Sequence, residues 1–407
     1  MSEASAPVGS PRDQPTPSLC RYSRRASMLS AESEPQITTV IPTFRRPRLL
    51  RRAVESVLTQ TYPHLKVAVF DNASGDETAE VAADLARRDP RVHYRCHPEN
   101  LGPLSNFQAG MDSVDTPYFS FLCDDDLLLP DFYRHALECI RRQPRARLFC
   151  GQTVVYDSDL GTHYVKPTKH WISGLYEAGQ TTARMIETGF IWTGVLFSAE
   201  VREKAGPLEG VSIVDTLFMA KAAAQLPLVV SLVPCAVRTG WRGRIFDTLS
   251  ADQFAEAYRI TVEKLACLPG VPASEARRIA AILERKRRGI MSQRLRSSFL
   301  SDDWDSFDQA ADFLSRQGSL TWGKRMRVFV AKQRRQNPAL LRAVQGLLRG
   351  QRFLRLARRS GGSVPTIEGI VQMYGTALPD GPPVGVRGGG HLEGVNRGEP
   401  RWGKPSS

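Results

Sequence analysis

Three carboxylates stand in a row at Asp124, Asp125 and Asp126, directly after the apolar run Phe119-Ser-Phe-Leu122 and Cys123. Leu127-Leu-Leu-Pro-Asp131 follows them. Asp is a poor strand residue and adjacent like charges repel, so a fold gains little from such a triplet unless something cationic lies against it. Hard divalent ions such as Mg2+ or Mn2+ take carboxylate oxygens, with water and substrate phosphates completing the shell. The stretch fits a metal-diphosphate site at the end of a strand. Taken alone it equally fits a solvated acidic turn, and the elements around it must decide.

Those elements alternate. Ile37-Thr-Thr-Val-Ile-Pro-Thr-Phe44 is a β-branched strand, and Pro47 then opens a helix. The apolar positions of that helix, Leu49, Leu50, Ala53, Val54, Val57 and Leu58, make one buried face and leave Arg51, Arg52 and Glu55 outside. A second strand, Lys66 to Phe70, ends at Asp71-Asn72, and Ser74-Gly-Asp-Glu77 reads as a capping box opening the next helix. A third strand is expected at Arg91 to Cys96, a helix near Pro103 to Met111, and a fourth strand at Tyr118 to Leu122. Strand and helix in alternation with short connections predict an α/β fold with a mainly parallel sheet. In such sheets ligands bind beyond the carboxyl ends of the strands, where Thr43-Phe44, Asp71-Asn72 and Asp124 to Asp126 all fall. Polar groups meeting on one edge favour the metal site over the solvated turn.

The order of these segments resembles the family 2 glycosyltransferases of the GT-A fold over roughly residues 36 to 250. Pro42-Thr-Phe-Arg-Arg-Pro47, with Ser56-Val-Leu58 and Gln60-Thr-Tyr-Pro63, looks like the family's opening strand and helix. Asp71-Asn-Ala-Ser-Gly-Asp76 is similar to its nucleotide-binding turn, Asn100-Leu-Gly102 with Asn106 to its next motif, and Phe121 to Pro130 to its metal-binding strand. The resemblance implies nucleotide-sugar contacts at Pro42, Thr43, Phe44, Arg46, Asp71, Asn72, Asp76, Asn106 and Asp124, and a Mg2+ or Mn2+ ion on Asp125 and Asp126. One position departs. The family usually has Asp-x-Asp-Asp, and Cys123 stands where the first Asp belongs. A neutral thiol is a poor ligand for a hard ion.

Beyond residue 150 the signals thin. Cys150 to Tyr156 is a candidate strand. Phe190 to Phe197 resembles the family's acceptor-side strand, with Thr193 and Gly194 near the sugar. Val214-Asp-Thr-Leu-Phe218 is similar to the helix whose Asp is the catalytic base, which would be Asp215, although Val214 replaces the acid that commonly precedes it. A helix N-cap is the competing role for Asp215. Leu228 to Val237 would close the domain, and Trp241 would either stack on a sugar at the acceptor side or lie in the core.

From Ala251 the sequence turns helical. The expected organisation is a disordered leader (1–35), a GT-A domain of Rossmann-like α/β type (36–250), a basic C-terminal α-helical extension (251–360) and a disordered Gly/Pro-rich tail (361–407). The net charge of +13 sits almost wholly in residues 321 to 360, which hold twelve Lys or Arg and no acid. Such a segment suits an anionic membrane surface, or a helix packed on the domain with its arginines in solvent. Only Trp322, Phe329 and Phe353 interleave with the charges there, which argues against nucleic acid. No apolar run is long enough to span a membrane; Leu226 to Val233 is short and broken by Pro227. Seven cysteines without zinc or pairing spacing suggest reduced thiols, and the histidines show no metal-ligand spacing. The absence of a glycine-rich phosphate loop excludes a Walker-type nucleotide site and a nucleotidyltransferase.

The expectation is an inverting transferase in the cytoplasm, at most peripheral at the inner face of the membrane. It would move a sugar from a nucleotide-sugar donor to a hydroxyl of a saccharide, lipid-linked saccharide or small molecule, in cell-surface glycan or natural-product synthesis. The rival from another class is a catalytically idle nucleotide-sugar-binding or assembly module, suggested by Cys123 and Val214.

Overall fold

The computed structural model describes residues 34–157, 162–166, 170–210, 213–240, 251–268, 271–357 and 367–375. The chain divides into Met1–Pro35 and Gln36–Ser407, and the secondary structure described lies in the second part. The expected leader, apart from Glu34 and Pro35, lies outside the described residues, as does Trp241.

One ten-stranded sheet organises the molecule. Its first half is parallel, in the order β3 (Val92–Cys96), β2 (Leu65–Asp71), β1 (Ile37–Thr43), β4 (Tyr118–Phe121). All seven residues of β1 are buried, as its unbroken β-branched run requires of a strand covered on both faces. Next to β4 lies antiparallel β9 (Val195–Ser198), then β6 (Leu148–Asp157), which runs parallel to the long β10 (Leu228–Gly240). The two-residue β5 (Leu127–Leu128) closes that edge against β10, and β7 (Thr162–Val165) and β8 (Gly174–Tyr176) pair at the side. The α/β expectation with a mostly parallel sheet holds, with β9 as an antiparallel insertion.

Register decides what the strand ends bring together. Thr43 pairs with Asp71 across β1 and β2, and Val40 pairs with Phe121 across β1 and β4. Continuing the parallel register three residues beyond Val40 and Phe121 sets Thr43 level with Asp124.

Four local expectations are corrected. The helix Thr78–Arg88 (α2) does not start from a capping box: Glu77 occupies the cap position without a side-chain bond, and Asp76 Oδ1 accepts from the Thr78 amide instead (2.9 Å). Ser74 has turned back to Asp71. The segment Phe190 to Phe197 is not one strand; Trp192–Gly194 forms a 3-10 turn, and only Val195–Ser198 pairs. A side chain on Gly194 would meet the Gly151 carbonyl and Thr153 Oγ1 at 3.1 Å, a tight approach of the backbone to β6. Arg52, read as a solvent position of the helix Pro47–Leu58 (α1), is half-buried and donates to the Asp125 carbonyl (3.1 Å). Finally, Ile367–Gly375 within the expected tail is a helix; its Ile367 and Ile370 are buried with Leu127, Leu129, Val154 and Val237. Apolar residues four apart or fewer on one helical turn suffice to dock it, and composition averaged over 361–407 hides them. The rest of that tail lies outside the described residues.

The C-terminal helices share a core with the sheet domain. Ile186 of α5 (Thr182–Thr188) and Leu217 and Ala220 of α7 (Val214–Gln225) pack with Ile282, Leu283, Leu295, Phe299 and Phe307 of helices Ala273–Ser301 and Trp304–Arg316. Burying Phe299 and Phe307, both almost fully enclosed, contributes roughly 1.5–3 kcal/mol each.

Candidate active site

Two turns beyond β1 and β2 form the floor of the site. Arg45 (φ 54°) and Ala73 (φ 58°) both adopt the left-handed conformation, which ordinary residues hold only where their surroundings enforce it. Each turn locks the other: the Arg45 amide donates to Ser74 Oγ (2.8 Å), and Arg45 Nε donates to the Ser74 carbonyl (3.0 Å). Asp71 Oδ1 accepts from the Ser74 amide (3.0 Å) and hydroxyl, and Asp71 Oδ2 accepts from the Tyr94 hydroxyl (2.8 Å). Asn72 Nδ2 donates to Asn100 (2.8 Å) while its Oδ1 accepts from the Leu101 amide (2.8 Å), tying in the loop before α3 (Gly102–Asp112). Asn106 is buried and donates to the Phe70 carbonyl (3.0 Å), with its Oδ1 3.1 Å from the His97 ring. Asp71, Asn72 and Asn106 therefore hold the strand ends in place. Pro42 is buried in β1, Phe44 is half-buried beneath the Arg45 guanidinium (5.1 Å), and Asp76 is exposed at the start of α2.

The acidic triplet turns out of β4 against this floor, and its three members meet different partners. Asp124 accepts from Thr43 Oγ1 (2.8 Å) and Arg46 Nη1 (2.9 Å). Burial pushes its carboxyl up to about 6, and Asp125 adds to the rise, while Arg46 and Thr43 oppose both. Asp125 Oδ2 lies 3.5 Å from Arg46 Nη1. Asp126 accepts from Thr193 Oγ1 (2.8 Å) on one oxygen and from the Thr239 amide (2.9 Å) on the other. Thr239 Oγ1 is buried and has no hydrogen-bond partner among the described residues.

Cys123, Asp125 and Asp126 each offer a ligand atom within 4.8 Å of the others. Burial, reinforced by Asp126, Asp125 and Asp124, holds the Cys123 thiol well above its usual range. It stays protonated and offers only a neutral sulfur. The donor set thus fits a hard divalent cation through the carboxylates of Asp125 and Asp126.

Asp215 lies elsewhere, in a cleft of about 380 Å3 with Lys166, Glu187, Gly189, Phe190 and Lys286 among its lining. Ile213 holds the cap position of α7, so Asp215 is a first-turn residue and not the N-cap; it accepts from the Thr216 amide (2.7 Å). Burial lowers Lys166 to about 8 and also lowers Lys286. The segment Phe190 to Thr193 joins the two regions: Phe190 and Ile191 line the cleft, and Thr193 bonds Asp126. Thr193 and Gly194 are thus brought to the acidic cluster through a turn and not through a strand.

Sequence reasoning missed Arg52, Thr239, Lys166 and Lys286. Periodicity assigned Arg52 to solvent. The other three are single residues whose role depends on contacts between separate segments, as the 113-residue separation of Thr239 and Asp126 illustrates.

Comparison with known proteins agrees with this arrangement. The model of Glycosyl transferase family 2 matches residues 38–205. A Campylobacter jejuni GalNAc(5)-diNAcBac-PP-undecaprenol beta-1,3-glucosyltransferase is 34% identical over 96 residues, covering 23% of this chain and 31% of that protein. An uncharacterized glycosyltransferase of Rickettsia typhi is 26% identical over 139 residues, 34% of this chain and 42% of that one. The chain thus spans less than half the length of either relative. The structure of S. aureus TarS in complex with UDP-GlcNAc superposes with a TM-score of 0.55 at 15% identity, over 78% of this chain and 92% of that one, a likeness of fold. With strand ends, acidic turn and family match coinciding, residues 38–205 are similar to the family 2 glycosyltransferases, and the chain has a GT-A-like fold.

Proposed function

We propose that the protein is an inverting glycosyltransferase that moves a sugar from a nucleoside-diphosphate sugar to an acceptor hydroxyl. The observation that carries this reading is the strand-end cluster, where Asp124, Asp125 and Asp126 lie on the same edge as Thr43 and Arg46. A Mg2+ or Mn2+ ion held by Asp125 and Asp126 would supply positive charge against the diphosphate as it departs. Arg46 adds a fixed guanidinium to that edge, and Thr43 and Arg46 hold Asp124 toward the ribose or phosphate-bound water. The turn of Asp71, Asn72 and Asp76 shapes the nucleoside end, and Thr193 and Gly194 border the sugar.

In the transfer itself the acceptor oxygen attacks the anomeric carbon opposite the diphosphate. The new carbon–oxygen bond forms as the bond to the diphosphate breaks, and that electron pair leaves with the diphosphate. Asp215 takes the hydroxyl proton, a contribution of about 10²- to 10⁴-fold. A screen of UDP-, GDP- and dTDP-sugars is expected to find Mn2+- or Mg2+-dependent diphosphate release with at least one donor. Thermal protection by a nucleotide with no release from any donor would favour the idle binding module instead.

The basic C-terminal helices support a second element of the reading, docking on an anionic lipid surface. Helix Trp322–Lys332 turns Val330 and Ala331 inward but leaves Trp322 (78%), Met326 (41%) and Phe329 (53%) exposed on successive turns. On helix Pro338–Ala357, Leu341 is buried, while Leu347 is 64% exposed and Arg342 and Arg349 are exposed as well. Exposed aromatic and aliphatic tips among lysines and arginines match the acyl boundary and headgroups of such a surface, at about 1 kcal/mol per basic residue. Among the described residues no helix is long and apolar enough to cross a membrane. The full chain should co-sediment with anionic but not neutral vesicles, more weakly as salt rises, and Trp322→Ser with Phe329→Ser should reduce binding at least fivefold without lowering the melting temperature. Equal recovery in the supernatant with both lipids would remove the membrane from this account.

A further inference from the structure

The cleft beside Asp215 holds two half-buried lysines that a proton-accepting carboxylate does not need. Lys166 follows β7 and Lys286 lies midway along helix Ala273–Ser301, yet both line the same space. Lys166 Nζ donates to the Gly189 carbonyl, and Arg238 of β10 and Lys286 both act on it as like charges. Two acids line the cleft. Glu187 is paired with Arg285 and also acts on Lys286, while Asp215 acts on both lysines. Among the described residues neither lysine makes an ion pair within 4 Å. Burial depresses both ammonium groups, so the arrangement works against their charged form. A fold that needed only to fill this space would do better with apolar side chains.

We propose that the cleft is a subsite for a phosphate group carried by the acceptor, which Lys166 and Lys286 hold while the acceptor hydroxyl meets Asp215. This rests on the transferase reading and names its substrate class. Two ammonium groups on facing walls, neither in a close ion pair, complement a phosphate monoester or a diphosphate, and lysine binds phosphate as a point charge without demanding one planar geometry. Helix Ala273–Ser301 lies outside the matched family region, so Lys286 is supplied by the extension. Phosphate chemistry could come from a soluble sugar phosphate, a lipid-linked sugar diphosphate or a polyol-phosphate chain.

Titration calorimetry on the full chain, with the nucleotide site first saturated by nucleoside diphosphate and divalent ion, tests this. The probes are a hexose 1-phosphate, a polyprenyl-diphosphate-linked sugar in detergent and a glycerol-phosphate oligomer, each beside its uncharged counterpart. At least one phosphate-bearing probe should bind tenfold or more tightly than its counterpart, and the one that does identifies the source. Lys286→Met should lower that affinity at least tenfold, with nucleoside diphosphate binding unchanged and the melting temperature equal or higher, since a desolvated charge is removed. Lys286→Arg should retain most of the affinity, and Lys166→Met should repeat the loss from the other wall. Equal affinity for charged and uncharged probes, or equal loss of both in the variants, would overturn the subsite. None of these readings requires turnover, so failure of the transferase reading shows separately, as no diphosphate release from any donor.

Discussion

Asp125→Asn is expected to abolish metal-dependent sugar transfer while leaving the fold intact. Asp125 offers a carboxylate oxygen within 4.8 Å of ligand atoms on Asp126 and Cys123, and its closest named partner, Arg46, is 3.5 Å away. Asn keeps the shape and removes one of the two hard oxygen ligands, and Cys123 cannot replace it because its thiol stays protonated. Loss of electrostatic stabilisation at a departing group commonly lowers turnover by about 10²- to 10³-fold. Stability should change by no more than about 1 kcal/mol, since one of the like charges that raise Asp124 disappears. Steady-state diphosphate release and a thermal melt, each with and without Mn2+, check both halves. Full activity in the variant, or undiminished wild-type activity in excess chelator, would take the metal out of the mechanism.

Asp215→Asn should lower turnover by roughly a hundredfold or more with little change in donor affinity. A base acts on the transition state, whereas donor contacts exist already in the ground state. Asp215 lines the cleft and not the strand-end floor, so donor binding has no direct dependence on it. Its structural duties are the 2.7 Å bond from the Thr216 amide in the first turn of α7 and the negative charge it sets against Lys166 and Lys286. Asn can still accept that bond, although it loses the favourable interaction of a carboxylate with the helix N-terminus, about 0.3–1 kcal/mol. A normal turnover number with a lowered melting temperature would mean that Asp215 serves α7 and that another group takes the proton.

The α/β alternation, the strand ends that carry polar groups and the acidic turn were all legible in the sequence, because each is written in neighbouring residues. The β-branched run of β1, the 3.6-residue apolar spacing of α1 and the conflict of three adjacent carboxylates need no knowledge of what lies across the fold. Register then follows, and it is register that sets Thr43 level with Asp124.

Tertiary structure alone decided the rest. Local pattern put Arg52 in solvent and made Ser74 a cap, but a long guanidinium reaches the Asp125 carbonyl, and Asp71 competes for the Ser74 hydroxyl. The turn at Trp192–Gly194 exists because the chain must cross β6 closely and deliver Thr193 to Asp126, a constraint that hydrophobic runs do not encode. The exposed and buried faces of the basic helices look alike in composition; packing sorted Leu341 inward and Leu347 outward. Lys166 and Lys286, separated by 120 positions, share a cleft only because the helical extension packs on α5 and α7. Secondary structure follows from short-range sterics and burial periodicity, which a sequence displays directly. The charge that surrounds Asp215 depends on contacts between distant segments, which only the folded chain brings together.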